Sequence, residues 1–539
     1  MKDVRILLSL FALVLAAAAL MGGPTVYPTG TTIYLPEKCW SGYTIFQSEG
    51  KPGAVLIDMN GNVVRNWEHI VGFPVTMLPV GYIMGGTVGR VTEEYTHHIG
   101  SDDVIQEDWD GNIVWKFGRA DRVKVGEEMM WSARQNHDFV REGSPVGYYV
   151  PGMAPFIDRG RTLILSQKSG TWPEVTRDYL PRAARIIEVT WDGEIVWEWM
   201  PAEHFQEFGH SEEAQKTIMA GCRNQHCVFL NTVSYLGPNR WYDAGDERFH
   251  PDNIITDDRG TMLFIISKKT GKVVWKVGPE YTSTPALREL GCIIGPHHAH
   301  MIPKGLPGEG NILVFDNGGA AGFGAPNPGA PTGEWNALRD HSRILEIDPT
   351  TLEIIWQYTA RTAGFSPFEE DAKFYSHYKS GAQRLPNGNT LIMESMYGRL
   401  IEVTPEHEIV WEYISPFNLK EKVFSSCIYR AYRLPYDWVP QLEKPVEKAV
   451  VPPDNSEFRI AALEPDKSGV AGDGGDEEAD SIIGDISDLG VPIESEGMSP
   501  MDVVTALTKV IRKQQKTVEG LKKTNAELME RISRLEEKK

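Results

Sequence analysis

The sequence predicts an all-β protein, a six-bladed β-propeller, on three observations. First, a turn followed by a Trp-bearing strand recurs six times: NGNVVRNW (60–67), DGNIVWKF (110–117), DGEIVWEW (192–199), TGKVVWKV (270–277), TLEIIWQY (351–358) and EHEIVWEY (406–413), with Trp67, Trp115, Trp197, Trp275, Trp356 and Trp411 as the repeated residue. Second, an alternating strand precedes each copy: AVLIDM (54–59), DVIQEDW (103–109), RIIEVTW (185–191), MLFIISK (262–268), RILEIDP (343–349) and RLIEVTP (399–405). A period of two puts successive side chains on opposite faces, as a sheet requires. Third, two more strand sets lie upstream, TLILSQ (162–167), NILVFDN (311–317) and NTLIMES (389–395), then HDFVREG (137–143), HHAHMIPKG (297–305) and GAQRLPNG (381–388). The unit is therefore four antiparallel strands.

The ends of the repeat region predict closure. The first copy opens on GYTIFQ (42–47) without a leading strand, while IYRAYRLPYDW (428–438) follows the last copy as a surplus one. Pairing the two completes the first blade and leaves no long sheet edge open. The ring is expected over about residues 30–440. Its second blade is the least regular, with FPVTMLPVGYIM (73–84) as inner strands.

Three segments lie outside the ring. Lys2 and Arg5 precede an apolar run, Ile6 to Met21, and Gly22-Gly23-Pro24 follows. Residues 1–23 thus read as an export signal or, if uncleaved, a membrane anchor, although the run is short of the ~20 residues a spanning helix needs. Export places the protein in the periplasm or outside the cell. Residues 441–500 read as an acidic, disordered linker; 454–500 hold thirteen acidic and two basic side chains. Residues 501–539 carry Val504, Leu507, Ile511, Gln514, Val518, Leu521, Asn525, Leu528, Ile532 and Leu535 at alternating spacings of three and four. β-branched residues at most a positions, Leu at most d positions and Asn525 at an a position favour a parallel two-stranded coiled coil over a single helix docking on the propeller. A homo-oligomer is expected, a dimer in the first place, with a three-stranded coil still open.

Charge and cysteine usage narrow the function. The formal charge of −20 argues against nucleic acid, whose phosphates need a basic face. The five cysteines include no CxxC pair, so a zinc ribbon is not expected. Cys222 and Cys227 are close enough for a small disulfide loop in an oxidising compartment, or are buried thiols.

A propeller's function comes from its site. Counting back six residues from the Pro or Gly that ends each innermost strand gives Phe73, His137, His297, Ser380 and Tyr429. Gln225-His226-Cys227 matches Asn136-His137-Asp138, so His226 is the counterpart in blade four. Three consecutive blades then place His137, His226 and His297 at one channel mouth. Three histidines suit a metal ion. They equally suit an anion, with one imidazole as nucleophile. Neither a P-loop nor a GxSxG elbow is present, so no cradle for a nucleotide donor is recognised.

GPHHAHMIPKGLPGEGNILVFDNGG (295–319), SYLGPNRWYDAGDERFHPDNIITDDRG (234–260) and SGAQRLPNGNTLI (380–392) resemble the bacterial arylsulfate sulfotransferases over about residues 30–440. The resemblance implies an exported six-bladed propeller that moves a sulfuryl group from an aryl sulfate to a phenol. It implies a sulfated histidine intermediate and neither cofactor nor metal. By motif, His297 corresponds to the nucleophile, His137 and His226 to supporting histidines, and Arg259 to a sulfate-binding arginine. His298 and His300 beside the nucleophile, and Phe73 and Tyr429 at the mouth, are expected to touch substrate. The alternative is a non-catalytic exported scaffold, oligomerised by its tail. A propeller binding pyrroloquinoline quinone fits less well, since the Trp residues sit on outer strands and no calcium carboxylate set is visible.

Overall fold

The computed structural model describes residues 29–48, 53–72, 74–87, 103–125, 127–221, 229–364, 373–417 and 427–451. Phe73, Cys222, His226, Cys227, the N-terminal apolar run, the acidic segment beyond residue 451 and the heptad segment lie outside these residues.

The fold is all-β, with three short α-helices among the described residues (Glu212–Gly221, Arg240–Asp243 and Pro285–Leu290). Six antiparallel sheets of four strands carry the repeat. In chain order their innermost strands are Ile428–Leu434, Thr76–Met77, Gln135–Arg141, Leu230–Tyr235, His297–Met301 and Gly381–Arg384. Every sheet shows a register shift at the same place, between its third strand and its last, for example at Gln106/Glu107 and Glu402/Val403.

The expected closure is present. Ile428–Leu434 pairs antiparallel with Tyr43–Ser48, Tyr43 opposite Leu434 and Phe46 opposite Ala431. A second seam was not foreseen: Gly30–Tyr34 adds a fifth strand to the sixth sheet, along Ile409–Ile414. Both chain ends of the repeat region are thus bound into sheets. The chain past the closing strand also stays attached, since Tyr34 and Val450 exchange backbone hydrogen bonds (2.7 and 2.9 Å) and the Tyr43 hydroxyl donates to Glu443 O (3.1 Å).

The Trp repeat has a physical purpose that its sequence does not reveal. Each indole N–H donates to a backbone carbonyl in the turn of the next sheet: Trp115 to Trp191, Trp199 to Gly271, Trp275 to Pro349, Trp356 to Pro405 and Trp411 to Met59. The last of these runs from the sixth sheet to the first. Burying a large aromatic while satisfying its one donor makes each Trp a staple between neighbours. The register differs from the sequence reading in two copies. In the third, Trp199 donates rather than Trp197. In the first, Arg65 stands opposite Leu56, where the other sheets hold Trp, and its guanidinium donates to Trp109 O (2.5 Å) in place of an indole.

A second set of links joins neighbouring sheets. Buried carboxylates on third strands accept from the innermost strand of a neighbouring sheet. Tyr235 Oη donates to Glu188 (2.7 Å), Arg384 to Glu346 (2.6 Å) and Arg433 to Glu402 (3.0 Å).

Candidate active site

The innermost strands of the third and fifth sheets each contain a bulge. A bulge re-aims the side chains around it. The strand Gln135–Arg141 shifts register between Gln135 and Phe139, and His137 sits there with φ of 55°. The strand His297–Met301 shifts between His297 and His300, and here it is His298 that is left-handed, at 57°. The positions matched by counting are therefore offset by one residue in backbone conformation.

His297 is nearly buried, 5% exposed, and each ring nitrogen has a defined partner. Nδ1 faces two acceptors, Gly295 O at 3.0 Å and Asn317 Oδ1 at 2.8 Å. The Asn317 amide is oriented by its own donors, since Nδ2 bonds Ser376 O (2.6 Å) and Lys379 O (2.9 Å). The proton of the neutral ring is thus on Nδ1. Nε2 keeps its lone pair and accepts from the Lys379 backbone N–H at 3.2 Å. Burial pushes the His297 pKa down to about 3; the Asn317 hydrogen bond opposes this, and the Arg430 and Arg259 guanidiniums push it further down. The imidazole is neutral at physiological pH, with Nε2 as its nucleophilic atom.

Arg259 is half-buried. Its backbone N–H bonds Phe229 O (2.7 Å) and its guanidinium lies 5.1 Å from the centroid of the Trp335 ring. Burial lowers its pKa, yet arginine stays charged across the working range. Trp335 (φ 60°) belongs to the two-stranded arm Ala321–Phe323 and Glu334–Ala337. The helix Glu212–Gly221 props that arm, with Thr217 Oγ1 donating to Gly324 O (2.9 Å). His137 stacks edge-on against Phe229 (4.8 Å) and Tyr429 (6.0 Å), so Arg259, His137 and Tyr429 share one neighbourhood.

Beneath them lies a buried ion pair. Arg430 pairs with Asp138 Oδ2 (2.9 Å) and donates to Asn231 O (3.0 Å) and Thr232 Oγ1 (2.6 Å). Burial disfavours the Arg430 charge, but the Asp138 carboxylate, together with the Tyr429 and Tyr432 hydroxyls, offsets it and holds the guanidinium pKa well above the ordinary value. Asn231 Nδ2 in turn donates to Pro296 O (3.0 Å), fixing the peptide that leads into His297.

His298 and His300 have different surroundings from His297. Their rings lie 4.6 Å apart, and the Tyr148 hydroxyl donates to His300 Nε2 (2.8 Å) while His300 Nδ1 donates to His298 O (2.8 Å). Tyr148 and Tyr432 cover His298 at 6.2 and 5.7 Å between ring centroids. The structure thus brings His297, Arg259, His137 and Tyr429 together and places His298 and His300 in a tyrosine-lined layer. Sequence reasoning missed Asn317, Lys379, Arg430 and Trp335. Asn317 stands in the quoted FDNGG and Arg430 in the quoted closing strand, but neither carries a spacing that marks it. Among the described residues, no group of three or more His, Cys, Asp or Glu is placed to hold a metal ion. Among them, too, no helix is long and apolar enough to cross a membrane.

Three buried neutral histidines make stability depend on pH. Burial lowers the pKa of His297 to about 3, of His300 to about 4 and of His298 well below its ordinary value. The unfolded chain takes up these protons as pH falls through ~6.5, and the native state does not until much lower pH. Stability is therefore expected to fall as pH drops below ~6.5, by up to ~1.4 kcal/mol per pH unit for each histidine. Urea unfolding at stepped pH values checks this. His300→Gln should flatten the slope by about one proton, and an unchanged slope would mean that His300 titrates normally.

An all-β repeat fold with a neutral, oriented histidine beside two guanidiniums defines a protein equipped to handle an anionic group. Residues 104–416 match the family model described as Arylsulfotransferase (ASST), and the chain belongs to that family. The family's general activity is aryl sulfotransfer, between a donor and an acceptor. The match contains His137, His226, Arg259 and His297; Phe73 and Tyr429 fall outside it. No curated protein matches the chain. Among solved structures, a protein of unknown function from Bacteroides caccae is 12% identical over 73% of this chain and 98% of its own, with a TM-score of 0.39. A streptogramin B lyase is 12% identical over 74% and 85% (TM-score 0.33). The virginiamycin B lyase from Staphylococcus aureus is 12% identical over 74% and 88% (TM-score 0.31). Similarities of this size carry no argument about function.

Proposed function

We propose that this protein is a nucleotide-independent arylsulfate sulfotransferase that works through a sulfated His297, on a propeller whose six blades are the six repeated sheets. The observation that carries the reading is the fixed Nδ1–H tautomer of a His297 held neutral by burial. Nε2 attacks sulfur, the N–S bond forms, and the S–O bond to the aryl group breaks with its electron pair leaving on the phenolate oxygen. A phenolic acceptor, losing its proton, then attacks the same sulfur, and the N–S pair returns to Nε2. Sulfuryl transfer resembles phosphoryl transfer in its loose, in-line transition state, so cations around the equatorial oxygens and a good leaving group do most of what is required. Phenols, with pKa near ~10, leave far better than alkyl alcohols.

Arg259, whose guanidinium can bind two oxygens at once, supplies the charge. His137 and His226 support the sulfuryl group and relay the phenol's proton. Asn317 and Gly295 accept from Nδ1–H as the ring becomes cationic. Because both are neutral, they steady the sulfated ring less than a carboxylate does and leave it reactive. Export directed by residues 1–23 and dimerisation through residues 501–539 complete the proposal.

Incubation with an aryl sulfate alone should leave one sulfuryl group on the peptide containing His297, detected by mass spectrometry after digestion that avoids acid. Transfer that needs both substrates bound together, with no sulfated peptide from donor alone, would overturn the reading.

A further inference from the structure

We infer that the backbone N–H of Lys379 is a catalytic donor, which holds the Nε2 lone pair of His297 in the resting enzyme and passes to a sulfuryl oxygen once that lone pair bonds to sulfur. The inference rests on the sulfohistidine reading above and adds a group to it. The N–H lies 3.2 Å from Nε2, the atom that reacts. When the N–S bond forms, Nε2 has no lone pair left to offer. The donor's acceptor is then gone, and oxygens carrying the developing negative charge have arrived beside it. A donor aimed in advance at the place where charge develops lowers the barrier, because nothing need reorganise during the reaction.

The peptide is held for this position. Lys379 and Ser380 are both left-handed, with φ of 63° and 83°, a conformation that residues with a Cβ adopt at a cost. Four bonds keep them there. Asn317 Nδ2 grips Lys379 O and Ser376 O, Ser380 Oγ donates to Ser376 Oγ (2.8 Å), and the Ser395 backbone N–H donates to Ser380 Oγ (3.3 Å). The amide that anchors the segment is the same one whose Oδ1 orients His297. One side chain thus sets both the tautomer of the nucleophile and the placement of the donor. The role belongs to the backbone, so residue type at position 379 gives no sign of it.

The test removes the N–H without altering the side chain. Incorporating the α-hydroxy analogue of lysine at position 379 replaces the amide by an ester. In wild type, rapid mixing with aryl sulfate alone should show a burst of phenol as the histidine is sulfated. The ester should slow that burst about a hundredfold, the scale on which a lost oxyanion donor is felt. NMR titration should also show the His297 pKa raised in the ester, since Nε2 then binds a proton without first giving up a donor. Lys379→Gly keeps the N–H and accepts positive φ freely, so whatever it loses measures the share of the side chain, and the ester should lose at least about tenfold more. An ester that bursts at the wild-type rate or faster would show that the N–H only plugs the resting site. A Lys379→Gly variant as slow as the ester would assign the effect to the side chain. If wild type gives no sulfated histidine, both this inference and the proposed function fall; a sulfated wild type with an unaffected ester overturns this inference alone.

Discussion

His297→Asn should lose sulfotransferase turnover by about four orders of magnitude or more, the scale seen when a covalent nucleophile is removed from a catalytic unit. Asn has no nitrogen lone pair to form the N–S bond, and its amide cannot take the charge the imidazole carries. The fold should survive. The residue is held by short-range polar contacts to Gly295, Asn317 and Lys379, which an amide can partly reproduce, and burial already keeps it uncharged. His298→Asn, by contrast, should retain most turnover, because that ring packs among Tyr148, His300 and Tyr432. Steady-state assays with a chromogenic aryl sulfate and a phenol, run beside thermal melts, separate chemistry from folding. Activity of a folded His297→Asn protein within tenfold of wild type would remove the mechanism.

Arg433→Met should be the most damaging single change to stability, by about 3–5 kcal/mol, the usual cost of removing one partner of a buried ion pair. Arg433 and Glu402 both have no solvent exposure. The guanidinium also donates to Thr44 Oγ1 (2.7 Å) and Trp40 O (2.9 Å), so one side chain joins the sixth sheet to the closing strand and to the strand it completes. Burial already raises the pKa of Glu402, and Arg433 is the main group opposing that rise. Without it, the carboxyl must be buried unpaired or take up a proton. Glu402→Gln should cost less than Arg433→Met, and the double variant should be more stable than Arg433→Met alone. A loss below 1 kcal/mol in denaturant unfolding would show that the seam does not depend on this pair.

What the sequence disclosed, and what it withheld, follows from the kind of signal each feature leaves. Alternation and turn residues are local, so the strands and the pairing of Tyr43–Ser48 with Ile428–Leu434 were readable. The strand Gly30–Tyr34 was missed because GTTIY is short and lies before the first repeat, with no partner motif beside it. Register was misread where chemistry substitutes: Arg65 performs the donor's task of a Trp, and Trp197 and Trp199 sit two residues apart on one strand. At the site, histidines at matching offsets were visible because an unusual residue recurred. Asn317 was not, since an amide twenty positions along the chain is brought to His297 only by pairing of their strands, His297 opposite Phe315. Lys379 contributes a peptide N–H, which any non-proline residue would supply.

The segment after Gly143 has a consequence for how the sheets hold together. Leaving the third sheet, it reaches four others: Pro145 O accepts from Tyr235 N–H, Gly147 O accepts from Thr76 Oγ1, and Tyr148 meets His300 and Tyr432. Sheets far apart in the chain are thereby buttoned to one short stretch, as spokes are to a hub. A change within it should loosen several sheets at once, where a change in an outer turn loosens one.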